Sequence, residues 1–434
     1  MSGLAQRVMA AMGAGAFGQA VVTVIQVCSL PLFLRHWDTA TYGNWLLLSA
    51  MPAYLSMTDV GMVATAGNRM TMAMGHGDRA EAQRLFHSAI VFVLAVVSLC
   101  CLICLPLALC WPVTGDPSMD QRLTLCALIL SVLMGQFTGL ADALFRATGR
   151  FAQAVFLGNV LRLLEWGGMM LGLALQGSFL AVAMGGLLVR LVCTAGLVAL
   201  SARGAQGLNW HWHDARLQEI RALIKPALSF MVFPLASALS LQGITLLVGQ
   251  HFGPVVVAAF NSYRTIARVA AQATGILANA VWGEFSFLFG QGGTAAVTPL
   301  YRRTLWVGGA GAAVLSIVLY GASPWLLRWW SHGHIAFDPW PMALLLAYAA
   351  VVGLWHVPRV LLLSTNQHTG LAQWSLGGAL VAVAATLGLQ GPMGLPGVCL
   401  AMLLSELMMA AVCLRLAQDF LRSSITFQPR LSHP

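Results

Sequence analysis

Residues 86–112 read FHSAIVFVLAVVSLCCLICLPLALCWP, a run without a single Asp, Glu, Lys or Arg. A hydrocarbon layer is crossed by about 20 helical residues, so this run is long enough to span a bilayer. Working outward, comparable runs recur at 12–34, 43–66, 123–145, 152–175, 178–202, 223–249, 255–281, 304–327, 341–364, 369–389 and 395–416. The whole chain agrees: of 434 residues 59% are hydrophobic and 9% charged, where a soluble domain carries about a quarter charged residues to wet its surface. The reading is an all-α integral membrane protein of about twelve transmembrane helices, with no room for a soluble catalytic domain between them. The first run follows a short segment, Met1 to Arg7, but lacks an A-x-A-type cleavage site. It therefore reads as an uncleaved first helix rather than a signal peptide.

Basic residues set the orientation. With the N-terminus in the cytoplasm, Arg7, Arg69, Arg79, Arg84, Arg146, Arg150, Arg203, Arg216, Arg221, Lys225, Arg302, Arg303, Arg415, Arg422 and Arg430 all face inward. Only Arg35, Arg122 and Arg328 fall outside, and the other five basic residues lie within spans. Positive residues favour the cytoplasmic side, so both termini are expected there. The same bias accounts for the net charge of +9 without a nucleic-acid partner.

The chain also repeats. Gly75, Gly77, Ala80, Leu85 and Phe86 after span two recur as Gly290, Gly292, Ala295, Leu300 and Tyr301 after span eight, and Thr148-Gly149 after span four recurs as Thr365-Asn366 after span ten. Offsets of about 215 residues at equivalent positions indicate two parallel six-helix repeats. The expected division is a six-helix lobe over 1–202, a cytoplasmic linker over 203–222 and a second lobe over 223–434. Two such bundles enclose a central cleft, a geometry typical of alternating-access transporters.

Some motifs carry less than they promise. Gly13-x-Gly15-x-x-Gly18 matches a dinucleotide fingerprint literally, but that fingerprint needs a strand before it, and here it opens a membrane helix. Gly168-x-x-x-Gly172 reads as a surface for close helix packing. Cys101-x-x-Cys104 and the other cysteines read as small apolar packing residues, and His211-x-His213 as part of a solvated linker. No cofactor and no metal site is expected.

Polar residues inside spans are more informative, because a central arginine costs about 2.5–3.5 kcal/mol to insert. Asn261, Arg264, Arg268, Gln272 and Asn279 in span eight fall on one narrow helical stripe. They face either the cleft or a partner inside the second bundle. Gln19, Thr23 and Gln26 form a neutral stripe on span one, lining the cleft or joining helices. In span ten, Pro358 should kink the helix, and Arg359 either meets substrate or snorkels to the interface. Arg162 and Glu165, three residues apart, are expected to pair, leaving Arg190 in span six without a local partner and a second-rank candidate to line the cleft and bind substrate. Glu406 in span twelve is the best candidate for a coupling ion, or a counter-ion for Arg359; Asp142 is expected to pair with Arg146. Arg264, Arg268 and Arg359 against Glu406 make the second lobe net positive, whereas Arg162 and Arg190 meet Asp59, Asp142 and Glu165 in the first. Net positive charge favours an anionic substrate such as a diphosphate.

Tyr42-Gly43-Asn44-Trp45-Leu46-Leu47-Leu48 followed by Asp59-Val60-Gly61 resembles the span-two signature of polysaccharide-unit (O-antigen type) flippases, members of the multidrug/oligosaccharidyl-lipid/polysaccharide exporter superfamily. Arg146-Ala147-Thr148-Gly149-Arg150-Phe151 and the turn Gly391-Pro392-Met393-Gly394-Leu395-Pro396-Gly397 resemble two further segments of that family. The resemblance implies a V-shaped twelve-helix fold and flipping of an undecaprenyl-diphosphate-linked oligosaccharide, an O-antigen or exopolysaccharide repeat unit, to the periplasmic leaflet. It implies a cationic cavity that Arg264 and Arg268 would line, and partners among membrane lipids and other glycan-assembly proteins. One departure concerns ion coupling: relatives often carry an acid late in span seven, where this chain has Gln242-Gly243-Ile244. Two other readings stand beside it, a cation-coupled multidrug or metabolite exporter of the same fold and a membrane-embedded enzyme of a glycan pathway. The enzyme would need a sizeable loop with catalytic acids or a metal site, and the longest loops span only about 20 residues.

Overall fold

Lipid offers no partner to a backbone N–H or C=O, so an apolar run must satisfy its own peptide groups by closing a helix. The computed structural model describes residues 2–75, 77–110, 119–203, 205, 207–365 and 369–423, and every regular element among them is helical. They fall into two compact units, Met1–Pro234 and Leu235–Pro434. Asn366, Arg430, Trp111 and Pro112 lie outside the described residues, as do the side chains of Arg7, Lys225 and Asn279.

The first unit holds α1 (Ser2–His36), α2 (Thr39–Ala50), a 3₁₀ turn (Pro52–Met57), α3 (Met62–Gly75), α4 (Arg79–Cys110), α5 (Met119–Ala147), α6 (Phe151–Gln176) and α7 (Phe179–Arg203). Next come α8 (Leu217–Ala238), a π-helical turn (Leu239–Gly243), α9 (Ile244–Phe252), α10 (Pro254–Ala280), α11 (Trp282–Trp330), α12 (Pro339–Ser364) and α13 (Thr369–Arg422). At 1.5 Å per residue the 54 residues of α13 would run about 80 Å, far more than one bilayer. Gly394 divides it, with φ 63° and ψ −146°, inside the Gly391–Gly397 turn. With α2–α3 and α8–α9 each taken as one span, the chain makes about twelve crossings.

Two expectations need correction. Span two is not one helix: α2 with its 3₁₀ turn and α3 meet at a 41° bend, where Val60 (φ 54°) and Gly61 (φ 75°) are left-handed. Asp59 stands at this break and caps α3, accepting from Gly61 N at 3.2 Å and Val63 N at 3.3 Å. Its charge serves the chain's own backbone. Gln136 of α5 donates to the freed carbonyls of Leu55 (3.4 Å) and Ser56 (3.1 Å). The loop expected after span eight is also largely absent, because α11 is helical from Trp282 onward. Its one left-handed residue, Gly293 (φ 62°), lies near the place that Gly77 (φ 80°) holds in the first unit.

In the first unit α6 packs on α1 and α7, and α5 packs on α3, α4 and α7. The α6–α7 contact is as close as two helices come: a Cβ on Gly168 or Gly172 would drive into the carbonyls of Gly185 or Ala181. Cys101 and Cys104 pack against the apolar core of α3, α4 and α5. In the second unit α12 packs on α10, α11 and α13, while α9 and the π turn rest on α13.

Candidate functional site

A π-helical turn widens the backbone and loosens its hydrogen bonding. The one at Leu239–Gly243 includes Gln242-Gly243, the position noted for its missing acid. Its Leu241 carbonyl accepts from the Thr245 hydroxyl at 2.8 Å and from Arg264 Nη1 on α10 at 2.9 Å. Arg264 Nη2 donates to Thr245 Oγ1 at 2.9 Å and to Asn261 Oδ1, and the guanidinium carbon lies 5.0 Å from the Phe260 ring centre. The side chain is 7% exposed and its Nε finds no partner. Arg264 is thus a buried cation held by neutral oxygens, bolting α10 to α9 and the π turn.

The stripe read from span eight therefore divides. Asn261 and Arg264 turn into the unit, whereas Arg268 is half-buried beside Tyr348 of α12. Among the described residues no carboxylate reaches Arg268 within ion-pair distance. Gln272 is half-buried one turn further on.

On α12, Trp355 Nε1 donates to Glu406 Oε2 of α13 at 2.8 Å, and the Arg359 guanidinium sits 5.7 Å from the centre of the same indole. The Arg359–Glu406 ion pair, one of the two readings of Glu406, is not formed at ion-pair distance; both groups instead contact the Trp355 indole, and Glu406 acts on Arg359 through its charge alone. Arg359, like Arg268, has no carboxylate at ion-pair distance among the described residues. His356 lies 3.4 Å from Thr274 Oγ1 of α10, in line with the small Gly275.

In the first unit the pairing runs differently from the sequence spacing. Glu165 binds Arg190 rather than Arg162, through Arg190 Nη2 to Oε2 at 2.6 Å and Nε to Oε1 at 2.9 Å, while Ser131 Oγ donates to Oε1 at 3.1 Å. Arg190, which has no partner on its own helix, is one half of a bidentate pair with Glu165 of α6 and not a free cation. The close approach of α6 and α7 at their glycines makes it possible, since Gly186 lies against the Glu165 side chain. Arg146 and Asp142 pair at 2.7 Å as expected. Arg162 is exposed. Of the span-one stripe, Gln26 lines a cavity with Arg162, Gln19 is half-buried, and Thr23 donates to the Gln19 carbonyl at 2.9 Å.

The linker is fastened to its own unit. Trp210 packs edge-on against Phe86 and donates to Ser201 Oγ at 3.0 Å. Buried His87 meets Asn209 Oδ1 at 3.0 Å, and its Nδ1 accepts from Asp214 N at 3.2 Å. His211 contacts Asn209 Oδ1 at 3.0 Å. The residues sequence reading missed are Leu241, Thr245 and Tyr348, whose roles depend on a π turn and a helix crossing that hydropathy does not register.

No protein-family model matches this sequence, and no curated protein matches it. Solved structures do. The chain is similar to an inward-facing multidrug-resistance MATE-family transporter of the MOP superfamily, with a TM-score of 0.72 at 12% identity, over 93% of this chain and 98% of that one. It is also similar to the MATE multidrug transporter DinF-BH, solved as a complex, with a TM-score of 0.65 at 16% identity over 95% of each chain. A MOP-superfamily transporter from Pyrococcus furiosus, described as having a binding pocket of reverse polarity, gives 0.65 at 11% identity over 96% of each. The fold is that of the MATE transporters, a multi-pass membrane fold.

Proposed function

We propose that this protein moves an undecaprenyl-diphosphate-linked oligosaccharide from the cytoplasmic to the periplasmic leaflet of a bacterial inner membrane by alternating access. The observation that carries this reading is the state of the arginines in the second unit. Arg268 and Arg359 each cost about 2.5–3.5 kcal/mol to insert, and no described carboxylate pairs with either. A diphosphate offers the acceptor oxygens that a guanidinium fork fits. Arg264 contributes differently, by fixing α10 so that Arg268 is held in place. Gln272 and Asn261 flank these groups, and Gln19, Gln26 and Arg190 belong to the first unit's polar set. The test is surface glycan display in cells lacking the native protein. Replacing Arg268 and Arg359 together by Ala should abolish display at matched membrane abundance, and normal display would refute the reading. Termini in the cytoplasm predict that a cytoplasm-active reporter fused after Arg216 gives signal; silence with protein present would reverse the orientation.

A second reading, a cation-coupled exporter of drugs or metabolites, is favoured by Glu406, an acid deep in α13 held by the Trp355 indole, and by the multidrug transporters that share the fold. It predicts that Glu406→Gln uncouples efflux of a lipophilic cation from the proton or sodium gradient. Unchanged coupling in that variant would remove Glu406 from the mechanism.

A further inference from the structure

Arg162 lies near the middle of α6 and stands at the junction of two cavities of the first unit. One, of about 420 Å³, has a mixed lining: besides Arg162, polar groups come from Thr138, Asp142, Asn159 and Arg190, and apolar wall from Phe145, Val155 and Leu197 among others. The other, of about 440 Å³ between α1 and α6, is largely apolar, with Val22, Ile25, Phe33 and Met169 in its wall and Gln26 and Trp166 beside Arg162. The two carboxylates of these cavities are already engaged, Asp142 by Arg146 and Glu165 by Arg190. Arg162 has neither an ion pair nor a hydrogen bond among the described residues, and its guanidinium is exposed. The charge sum of the groups named is one positive charge in excess, and it sits where a cavity with several polar side chains meets a largely apolar one.

We propose that Arg162 anchors a second ligand site, in the first unit, for the phosphate or diphosphate of an anionic amphiphile whose apolar chain occupies the α1–α6 cavity. A guanidinium presents a planar fork of donors to two oxygens of such a group, and the Gln26 amide lies within the same wall. Both volumes fall in the range of small-molecule sites, about 300–1,000 Å³. An apolar solute would leave Arg162 unanswered, and a bare anion would leave the apolar half empty. This site stands whether or not Arg268 and Arg359 serve the transported molecule.

The experiment uses the full chain in phosphatidylcholine nanodiscs, with empty nanodiscs as background. Three probes are titrated: farnesyl diphosphate (head and tail), inorganic pyrophosphate (head alone) and farnesol (tail alone). Binding is read by equilibrium dialysis and by tryptophan fluorescence, with Trp166→Phe identifying the signal from the cavity wall. Farnesyl diphosphate should bind tightest. Arg162→Gln should weaken it by about tenfold or more, the equivalent of one charge-assisted hydrogen bond, and Arg162→Lys by less, because charge survives while the fork is lost. Arg268→Ala and Arg359→Ala should leave the Trp166 signal unchanged, which separates this site from the second unit's. Wild-type affinity in a folded Arg162→Gln variant would overturn the proposal, as would farnesol binding as tightly as its diphosphate. Equal affinity for pyrophosphate and farnesyl diphosphate would overturn the amphiphile assignment.

Discussion

The two units hold most of their arginines in different ways. In the first, Arg190 and Arg146 each meet a carboxylate, Asp59 is consumed by a helix end, and Arg162 has no ion pair among the described residues. In the second, Arg264 is satisfied by a carbonyl, a hydroxyl and an amide, and Arg268 and Arg359 form no ion pair with a described carboxylate, although Glu406 lies close enough to act on Arg359 through its charge. An ion pair neutralises itself and asks nothing of a ligand. A half-buried cation with no ion pair, like Arg268, keeps its charge and remains available to an anion. The location of an arginine within a span therefore says little until its partner is known.

The sharpest way to break this comparison is to remove one member of the first unit's pair. Side-chain exposure there is 21% for Arg190 and 17% for Glu165, so Arg190→Ala strands a largely buried carboxylate and should cost about 3–5 kcal/mol. Thermal unfolding in detergent would show this, and the double replacement by Met should recover most of the loss. A stable single variant would mean that the pair does not hold α6 to α7. Next in size is Gly172→Leu, where overpacking against Ala181 should cost about 1–3 kcal/mol, read in the same assay. Arg264→Met removes a buried charge together with three hydrogen bonds, so these effects oppose each other. We expect about 1–2 kcal/mol of destabilisation and a loss of transport larger than stability explains, measured as activity per folded protein. Asp59→Ala should be smallest, about 1 kcal/mol for a lost helix cap, in melting temperature.

Much of the fold is legible in the sequence because hydropathy is the physics of the bilayer. The runs that locate α4, α5, α6, α7 and α12 each correspond to one helix, and the Pro/Gly cluster at 391–397 marks the break in α13. The Asp142–Arg146 pair is legible because i,i+4 spacing on one helix brings the two together. What is not legible depends on geometry between helices. Glu165 has two arginines to choose from, one three residues away and one twenty-five away; the glycine-lined α6–α7 contact makes the distant one the partner. The break at Thr58–Gly61 hides within an apolar run, and the π turn at Leu239–Gly243 has no compositional mark. For the same reason the stripe on α10 looks like one face of one function, when Arg264 in fact faces its own unit.

Whether the uncompensated arginines of the second unit select an anion is tested most directly in proteoliposomes containing the purified chain, supplied in turn with a fluorescent prenyl-diphosphate oligosaccharide and a lipophilic cation. The expected result is translocation of the diphosphate, its loss when Arg268 and Arg359 are both replaced by Ala, and no movement of the cation. Translocation of the cation, sensitive to Glu406→Gln and indifferent to the two arginines, would contradict anion selection.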